Sequence, residues 1–282
     1  MKVFISCDME GIAGIVDWAQ CRPDGGAAYE RGCELMLAEV NAAVQGALAG
    51  GATELVVNDS HGAMANLDPA ALKPPTSYLS GRHKPGYMMQ GLDSSFDAVF
   101  FVGYHGSISG EPSVLSHTYN PEVISGVRLG GEYVGESGIN ALVAHAHGVP
   151  IALITGDTVT ISEARSFAPD HVGVVVKESL TRFAAHHVHP VTARLRIMRA
   201  ATEAMRAVKG RRMSPPVLTD DLTLEVDLQT ADMAAVASWV KGVERSGTRS
   251  VRVTGAGPDP DGQAVYDAFV ALTYITRQAG GR

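Results

Sequence analysis

Short, continuous apolar runs alternate with helical segments along most of this chain. Runs of this kind form strands that are buried on both faces, because an exposed face would introduce a polar residue at every second position. They lie at residues 2–6, 54–59, 98–104, 150–156 and 172–177. Residues 29–51 are typical of a helix, with apolar residues at helical spacing and a Gly-Gly end. Strands that alternate with helices predict an α/β fold, in which a mostly parallel sheet is flanked by helices in three α/β/α layers.

The second half of the chain adds a different pattern. Residues 123–135 predict a hairpin that turns at two adjacent glycines. The Pro-containing segment at residues 213–217 indicates a boundary, after which a strand, a helix, a strand and a helix are expected, with a loop at residues 255–262. We therefore predict an α/β domain over residues 1–212 and a small α+β subdomain over residues 213–282, either separate or packed with the first as one domain.

The charge balance limits the classes of partner. The chain has 23 Lys and Arg against 30 Asp and Glu, a net charge of −7, which argues against a nucleic-acid backbone or an anionic membrane as the main partner. Cys7, Cys21 and Cys33 are odd in number and lack Cys-x-x-Cys spacing, so reduced thiols are expected rather than a disulfide framework or a thiolate zinc knuckle. With no apolar run long enough for a signal peptide or a membrane span, these features predict a cytoplasmic protein that acts on small molecules or peptides.

Polar residues suited to metal binding follow three of the predicted strands. Asp8 and Glu10 come after the first strand and would share one face if the extended backbone continued that far. His61 and His105 follow the next two long apolar runs. Because ligands bind where the carboxyl ends of parallel strands meet, we expect these four side chains to converge. Glu136, at the start of a predicted helix, is the best further acid, and the set predicts a mixed oxygen and nitrogen site for zinc or a similar divalent ion.

Simpler interpretations exist for several polar residues. An acid after a strand is most often a helix N-cap or a solvated turn residue, and it is the coincidence at several strand ends that favours a metal site. Asp157 is predicted to cap the next helix or to orient a metal-binding imidazole, and the second role is also considered for Asn58 and Asp59. The histidine-rich residues 186–189 are interpreted as a surface junction rather than a metal site.

Six linked motifs carry a family resemblance. They are "DMEGIAG", "NDSHG", "SGRHKPGYMMQGLD", "GYHG", "LSHT" and "VGESGINA". In this order and at these spacings the chain resembles the zinc-dependent D-aminopeptidases of the DppA type, strongly over residues 1–185 and more loosely beyond. The resemblance implies an α/β fold, two zinc ions in each subunit and release of an N-terminal D-amino acid from short peptides. It also implies a homo-oligomer, a decamer of two stacked five-membered rings that encloses the active sites.

The resemblance implies the same ligand set as the strand ends. Asp8 would bridge two ions, Glu10 and His61 would complete one of them, and His105 and Glu136 the other. Two such ions would acidify a shared water toward a pKa of about 7 and polarise the carbonyl of the scissile peptide bond.

One further residue comes from the "LSHT" motif. This motif supplies His117, which the strand ends alone do not single out. Its imidazole is suited to protonate the leaving amine as a general acid/base, and direct attack as a nucleophile is the alternative role.

Two other classes of function use similar residues. A two-metal phosphoesterase would need basic side chains near the motifs to bind phosphate, and Arg82, His83 and Lys84 are the candidates for that. A non-catalytic peptide- or metal-binding protein would keep the ligands but would have no need of His117. Hydrolysis of D-alanyl substrates, compared with L-alanyl substrates and a phosphodiester, separates the three.

Overall fold

The computed structural model describes residues 1–257 and 261–279. In chain order its strands are β1 (Lys2–Cys7), β2 (Glu54–Asp59), β3 (Thr76–Leu79), β4 (Ala98–Tyr104), β5 (Ile124–Leu129), β6 (Glu132–Tyr133), β7 (Ile151–Asp157), β8 (Val172–Thr181), β9 (Ala184–His187), β10 (Leu224–Leu228), β11 (Val243–Arg245) and β12 (Ser250–Val253). The α-helices are α1 (Ala27–Ala49), α2 (Glu136–Ala146), α3 (Thr158–Glu163), α4 (Pro190–Lys209), α5 (Ala231–Ala237) and α6 (Gly262–Ala279). Short 3-10 helices lie at Trp18–Gln20, Pro23–Gly25, Tyr87–Met89 and Ala164–Ser166.

Seven strands form the larger sheet, in the order β3-β2-β1-β4-β7-β8-β9. Neighbouring strands from β3 to β8 pair in parallel, and β9 closes one edge antiparallel to β8. This sheet confirms the predicted α/β fold with a mostly parallel sheet. The short edge strands β3 and β9 have no apolar run and were not predicted. Residues 184–187, interpreted in part as a surface junction, therefore belong to the sheet.

Helices cover both faces of this sheet, as predicted. Val3 and Ile5 of β1 pack with α1 and α4 in one buried cluster, whereas Phe4, on the opposite face, packs with α2 and α6 in the other. Successive strand residues point to opposite faces, so an apolar run without interruption can serve both layers.

A second sheet of five antiparallel strands has the order β11-β12-β10-β5-β6. The predicted hairpin is its β5–β6 edge, which turns at Gly130 and Gly131, both with positive φ. In this sheet β5 and β6 come from before the predicted boundary at residue 213, and β10, β11 and β12 come from after it. The two groups of strands are joined where β5 pairs with β10. The division into two domains stays a prediction, and the loop predicted at 255–262 falls partly on residues 258–260, outside the described range.

In the part of the chain that the structure describes, no helix combines the length and apolar character needed to cross a membrane.

Candidate metal centre

The order of the strands creates a reversal point beside β1. The chain moves outward from β1 to β2 and β3, then returns to place β4 on the other side of β1. In parallel sheets such a reversal leaves a crevice at the carboxyl ends of the two central strands, where ligands bind. The segments that follow β1, β2 and β4 all open into this crevice.

The backbone turns directly after β1. The strand ends at Cys7, so the extended geometry that would have put Asp8 and Glu10 on one face does not continue. A Cβ added at Gly11 would lie 1.9 Å from the carbonyl oxygen of Tyr104, which explains why the motif requires glycine there. The two carboxylates nevertheless converge, because Asp8 Oδ1 lies 3.0 Å and Glu10 Oε2 2.9 Å from His61 Nδ1.

Two buried charged residues hold this turn in place. The Lys177 ammonium, at the buried part of β8, donates to the carbonyl oxygens of Glu10 at 2.5 Å and Ile15 at 2.7 Å. The Glu39 carboxylate, on α1, accepts the N–H of Ala13 at 2.9 Å. Neither residue was predicted from the sequence, although a lysine at the end of a buried apolar run was a signal.

The remaining predicted residues complete one cluster. His105 Nε2 lies 3.4 Å from Asp8 Oδ2 and 3.8 Å from Glu136 Oε1. His117 Nε2 lies 3.4 Å from the same Glu136 oxygen, and its ring stacks on that of His105 with centroids 4.3 Å apart. None of the six predicted site residues is more than 9% exposed. The structure thus brings together residues that are up to about 130 positions apart in the chain.

Backbone carbonyls fix the orientation of all three imidazoles. His61 Nε2 lies 2.7 Å from the carbonyl oxygen of Cys21, His105 Nδ1 lies 2.9 Å from that of Gly106, and His117 Nδ1 lies 3.0 Å from that of Leu115. A carbonyl only accepts, so each of these nitrogens carries the proton. In a neutral ring the other nitrogen then carries a lone pair, which faces the carboxylates. Metal-binding histidines typically have this arrangement.

Several ligand atoms of the cluster have no hydrogen-bond partner. Within the described residues these buried atoms include Asp8 Oδ2 and His105 Nε2. Buried carboxylates and imidazole lone pairs that face one another are costly unless a cation lies between them. Three sets of potential ligand atoms are each compact enough for one ion, namely Asp8, Glu10 and His105; His105, His117 and Glu136; and Glu10, Cys21 and His61. Carboxylate oxygens with imidazole nitrogens suit zinc, so these residues fit such an ion.

Cys21 is a neighbour that the sequence analysis did not predict. Its thiol shares the third set with Glu10 and His61, and burial raises its pKa well above the ordinary value, with the charge of Glu10 adding to the effect. A protonated thiol is a poor zinc ligand, because zinc binds the thiolate. Its carbonyl group, which orients His61, is the clearer contribution to the site.

Burial and neighbouring charges shift the pKa values of these side chains. Burial raises the pKa of Glu136 to about 8, although the charge of His105 opposes this. Burial lowers the pKa of His105, but the charges of Glu136 and Asp8 outweigh it and raise the pKa to about 9. Burial and the positive charge of His105 lower the pKa of His117 to about 3, so its imidazole is neutral at pH 7. A divalent cation would displace protons from the acids and from His105, since ligands bind metal in their deprotonated form.

The predicted supporting residues have different roles. Asp157 caps α3 by accepting the N–H of Thr160 at 2.9 Å, which confirms the simpler of its two interpretations. Asn58 donates to the Met88 carbonyl oxygen, and Asp59 accepts backbone N–H groups of the loop that follows β2. In the described residues neither side chain forms a hydrogen bond with an imidazole, which contradicts the prediction that they orient the histidine rings.

A pocket of about 330 Å³ opens over this cluster. Asp8, Glu10, His61, His117 and Glu136 are among the residues that line it. Further out, Arg22, Arg82, Glu122 and Arg277 also line it, and all four are exposed.

Comparisons with known proteins relate this chain to one family. Residues 1–265 match the sequence family described as D-aminopeptidase. The chain is 34% identical over 280 residues to a D-aminopeptidase of Bacillus subtilis, a match that covers 98% of this chain and 97% of that protein. A solved structure described as the zinc-dependent D-aminopeptidase DppA from Bacillus subtilis, a self-compartmentalizing protease, superimposes with a TM-score of 0.87 at 31% identity, and the match covers 99% of this chain and 98% of that one.

Proposed function

This chain belongs to the D-aminopeptidase family, and we propose that it is a zinc-dependent aminopeptidase that releases an N-terminal residue of D configuration from short peptides. The observation that carries the proposal is the buried cluster of three carboxylates and three oriented imidazoles at the floor of an open pocket. Such a cluster is unfavourable without a cation and accessible to a small substrate, which is the combination that a catalytic metal site needs.

The proposal includes two zinc ions in each subunit. Asp8 would be shared by both ions, because its two carboxylate oxygens face different histidines, with Oδ1 near His61 and Oδ2 near His105. Glu10 and His61 would complete one ion, and His105 and Glu136 the other. Each ion would then have three protein ligands, which leaves positions for water and substrate, as catalytic zinc sites require.

His117 is proposed to act on the substrate. Zinc, when bound, would polarise the scissile carbonyl and acidify water. The His117 Nδ1 proton is held by the Leu115 carbonyl, so the unprotonated Nε2 remains at the pocket. A neutral imidazole can accept a proton from the attacking water and return it to the leaving amine, or it can attack the carbonyl itself.

The phosphoesterase alternative has less support. Of the three basic residues considered for phosphate binding, Lys84 is buried and donates to Asn58 and, at 2.6 Å, to the carbonyl oxygen of Asp59. Its ammonium therefore stabilises the end of β2 and is not available to a phosphate. Arg82 lines the pocket, but its guanidinium is exposed and lies further out than the buried carboxylates and imidazoles, beside which a two-metal phosphoesterase would have to bind the phosphate. A purely non-catalytic role leaves the position of His117 at the pocket without a purpose.

Assembly and location are part of the same proposal. The Bacillus subtilis structure is described as self-compartmentalizing, and we take a homo-oligomer, with the decamer of two five-membered rings as its form, to be the corresponding state of this chain. Cys7, Cys21 and Cys33 are unpaired, which supports a cytoplasmic location.

The test combines metal analysis with hydrolysis assays. Purified protein should contain close to two zinc equivalents per chain, and zinc-loaded protein should hydrolyse D-alanyl p-nitroanilide faster than the L-alanyl compound and faster than a phosphodiester. Chelation should abolish activity, and zinc should restore it. Metal-free protein that retains full activity contradicts the zinc proposal, and preference for the phosphodiester contradicts the peptidase proposal.

Light scattering tests the assembly separately. A particle of ten chains is expected at micromolar concentration. A monomer at that concentration would show that the oligomer proposal is wrong and would leave the peptidase proposal intact.

A further inference from the structure

Basic side chains are concentrated at the mouth of the pocket. Arg22, Arg82 and Arg277 line it against one exposed acid, Glu122, although the chain as a whole carries a net charge of −7. The floor has the opposite character, with Asp8, Glu10 and Glu136. The pocket is therefore acidic where a metal would bind and basic where a ligand enters. Clefts lined by one sign of charge raise the local concentration of ligands of the other sign.

Arg82 and Arg277 form a pair that comes from distant parts of the chain. Arg82 lies in the loop that follows β3, and Arg277 lies in the last turn of α6. Both arginines lie close enough to Tyr274 to affect its pKa. Burial raises the pKa of Tyr274, and the positive charges of Arg277 and Arg82 partly offset this rise. Tyr274 in turn packs edge-on against Tyr87, which lines the pocket. Two positive charges are thus held near one wall.

Neither guanidinium is neutralised within the described chain. Among residues 1–257 and 261–279, no carboxylate oxygen lies within 4.0 Å of Arg82 or Arg277, whereas Arg128 contacts Glu225 and Asp227. Guanidinium groups bind carboxylates through paired N–H donors. Two guanidinium groups that lack a carboxylate partner, at the mouth of a pocket, are therefore suited to bind an anionic ligand.

The direction of the substrate places a carboxylate near these residues. In an aminopeptidase the N-terminal residue and the scissile carbonyl lie at the metal site, so the remainder of the peptide extends toward the opening. In a dipeptide the C-terminal carboxylate is one residue from the scissile bond, a span of about 3.8 Å between adjacent Cα atoms. A pocket of about 330 Å³ is at the small end of the range for ligand pockets, so a short peptide would end inside it.

Given the aminopeptidase function proposed above, we infer that Arg82 and Arg277 bind the free C-terminal carboxylate of the substrate and so direct the enzyme to very short peptides. The substrate class is therefore di- and tripeptides with an unmodified carboxyl end. Amidated peptides and long peptides, whose carboxylate lies beyond the pocket, would lose this contact.

The experiment compares two substrates that differ only at the carboxyl end. The kcat/KM of zinc-loaded protein is measured for D-alanyl-glycine and for D-alanyl-glycinamide. The proteins are the unaltered chain, Arg82→Met, Arg277→Met and the double variant. Arg22→Met tests the third arginine of the pocket, and Arg199→Met is a control on the exposed surface of α4, outside the pocket. Methionine keeps much of the aliphatic length and removes the charge.

The unaltered protein should prefer the free acid by about 10-fold or more, a typical effect of exposed charge-assisted contacts. Each single variant should reduce this preference about 3- to 10-fold through KM, and the double variant should abolish it. The kcat/KM for the amide should be unchanged, since uniform binding of the carboxylate affects only the acid. Added salt should weaken the preference in the unaltered protein and not in the double variant.

Other outcomes overturn the inference. Equal rates on acid and amide by the unaltered protein, or a preference that survives in the double variant, show that the pair does not bind the carboxylate while the aminopeptidase function stands. A preference lost in Arg22→Met and retained in the double variant assigns the contact to Arg22 and refutes the pair. Absence of hydrolysis of both dipeptides and of D-alanyl p-nitroanilide refutes the proposed function together with the inference.

Discussion

Replacement of His117 by alanine distinguishes catalysis from metal binding. The structure makes both roles geometrically reasonable, because His117 shares with His61 and His105 a ring nitrogen held by a backbone carbonyl and lies within ligand distance of Glu136. The two roles differ in the number of protein ligands that each metal ion would have. In the arrangement proposed above, with Asp8 shared, each of two ions would already have three protein ligands, drawn from Asp8, Glu10, His61, His105 and Glu136.

The structure sets the expected magnitudes. The charge of the site should not change, because burial holds the pKa of His117 at about 3 and the ring is neutral at pH 7. The ring contacts His105 and the edge of Trp18, at centroid distances of 4.3 and 5.5 Å, so its loss should cost about 1–3 kcal/mol of unfolding free energy. Loss of a general acid/base should reduce kcat by about 10²–10⁴, which is about 3–5 kcal/mol, and loss of a nucleophile by more.

The assay measures zinc content and kcat for His117→Ala, His61→Ala and His105→Ala. His117→Ala should retain two zinc equivalents and a cooperative unfolding transition while it loses activity. His61→Ala and His105→Ala should lose zinc together with activity, because each removes one of three ligands from an ion. Far-UV circular dichroism confirms that all three variants are folded.

Two results would refute the reasoning. A clear loss of zinc from His117→Ala would make this imidazole a ligand, and the set of His105, His117 and Glu136 would then describe a real coordination sphere. Turnover of His117→Ala at the rate of the unaltered protein would remove His117 from the chemistry altogether.

Two further predictions concern the residues that hold the metal-binding turn. Lys177→Met removes the donor to the Glu10 carbonyl and should weaken zinc binding about 10–100-fold in a competition titration. Lys209→Met, at an exposed position of α4, is the control and should leave zinc affinity unchanged. Equal affinities of the two variants would show that the turn holds without Lys177. Burial raises the pKa of Glu39 from 4.5 to about 7, so between these values its carboxyl holds a proton in the folded state that it has released in the unfolded state. Glu39 should therefore contribute a loss of about 3 kcal/mol to the stability of the metal-free protein as pH rises through that window. Glu39→Gln, which keeps an acceptor for the Ala13 N–H, should show a shallower decline in urea unfolding at pH 5, 6 and 7, and an unchanged slope would contradict the assignment.

The sheet and the position of the site were predictable because both depend on local patterns. The apolar runs end within a residue or two of β1, β2, β4 and β7, since a buried strand tolerates few polar residues and its end is marked by the first of them. Parallel pairing then brings those ends together whatever their separation in the chain. For this reason Asp8, His61 and His105 could be placed in one cluster without knowledge of the strand order.

Other features depend on contacts that no local pattern records. The turn at Asp8 and Glu10 is set by the close approach of Gly11 to the carbonyl of Tyr104, which belongs to a different strand. Lys177 reaches that turn from β8, more than 160 residues away in sequence. The edge strands β3 and β9 are short and partly exposed, so they lack the apolar run by which the central strands were found.

The turn that carries Glu10 is held by buried residues of β8 and α1. Of the proposed ligands that follow strands, Glu10 lies furthest from its strand, three residues after the end of β1, so its position depends on the turn that follows Asp8. That turn is fixed by Lys177 and Glu39, two buried ionisable groups that are themselves costly to bury. Their cost is offset by the backbone groups that they satisfy, at Glu10, Ile15 and Ala13. The geometry of the proposed ligands is therefore set by the folded chain, and a metal ion would complete an arrangement that the sheet and α1 impose.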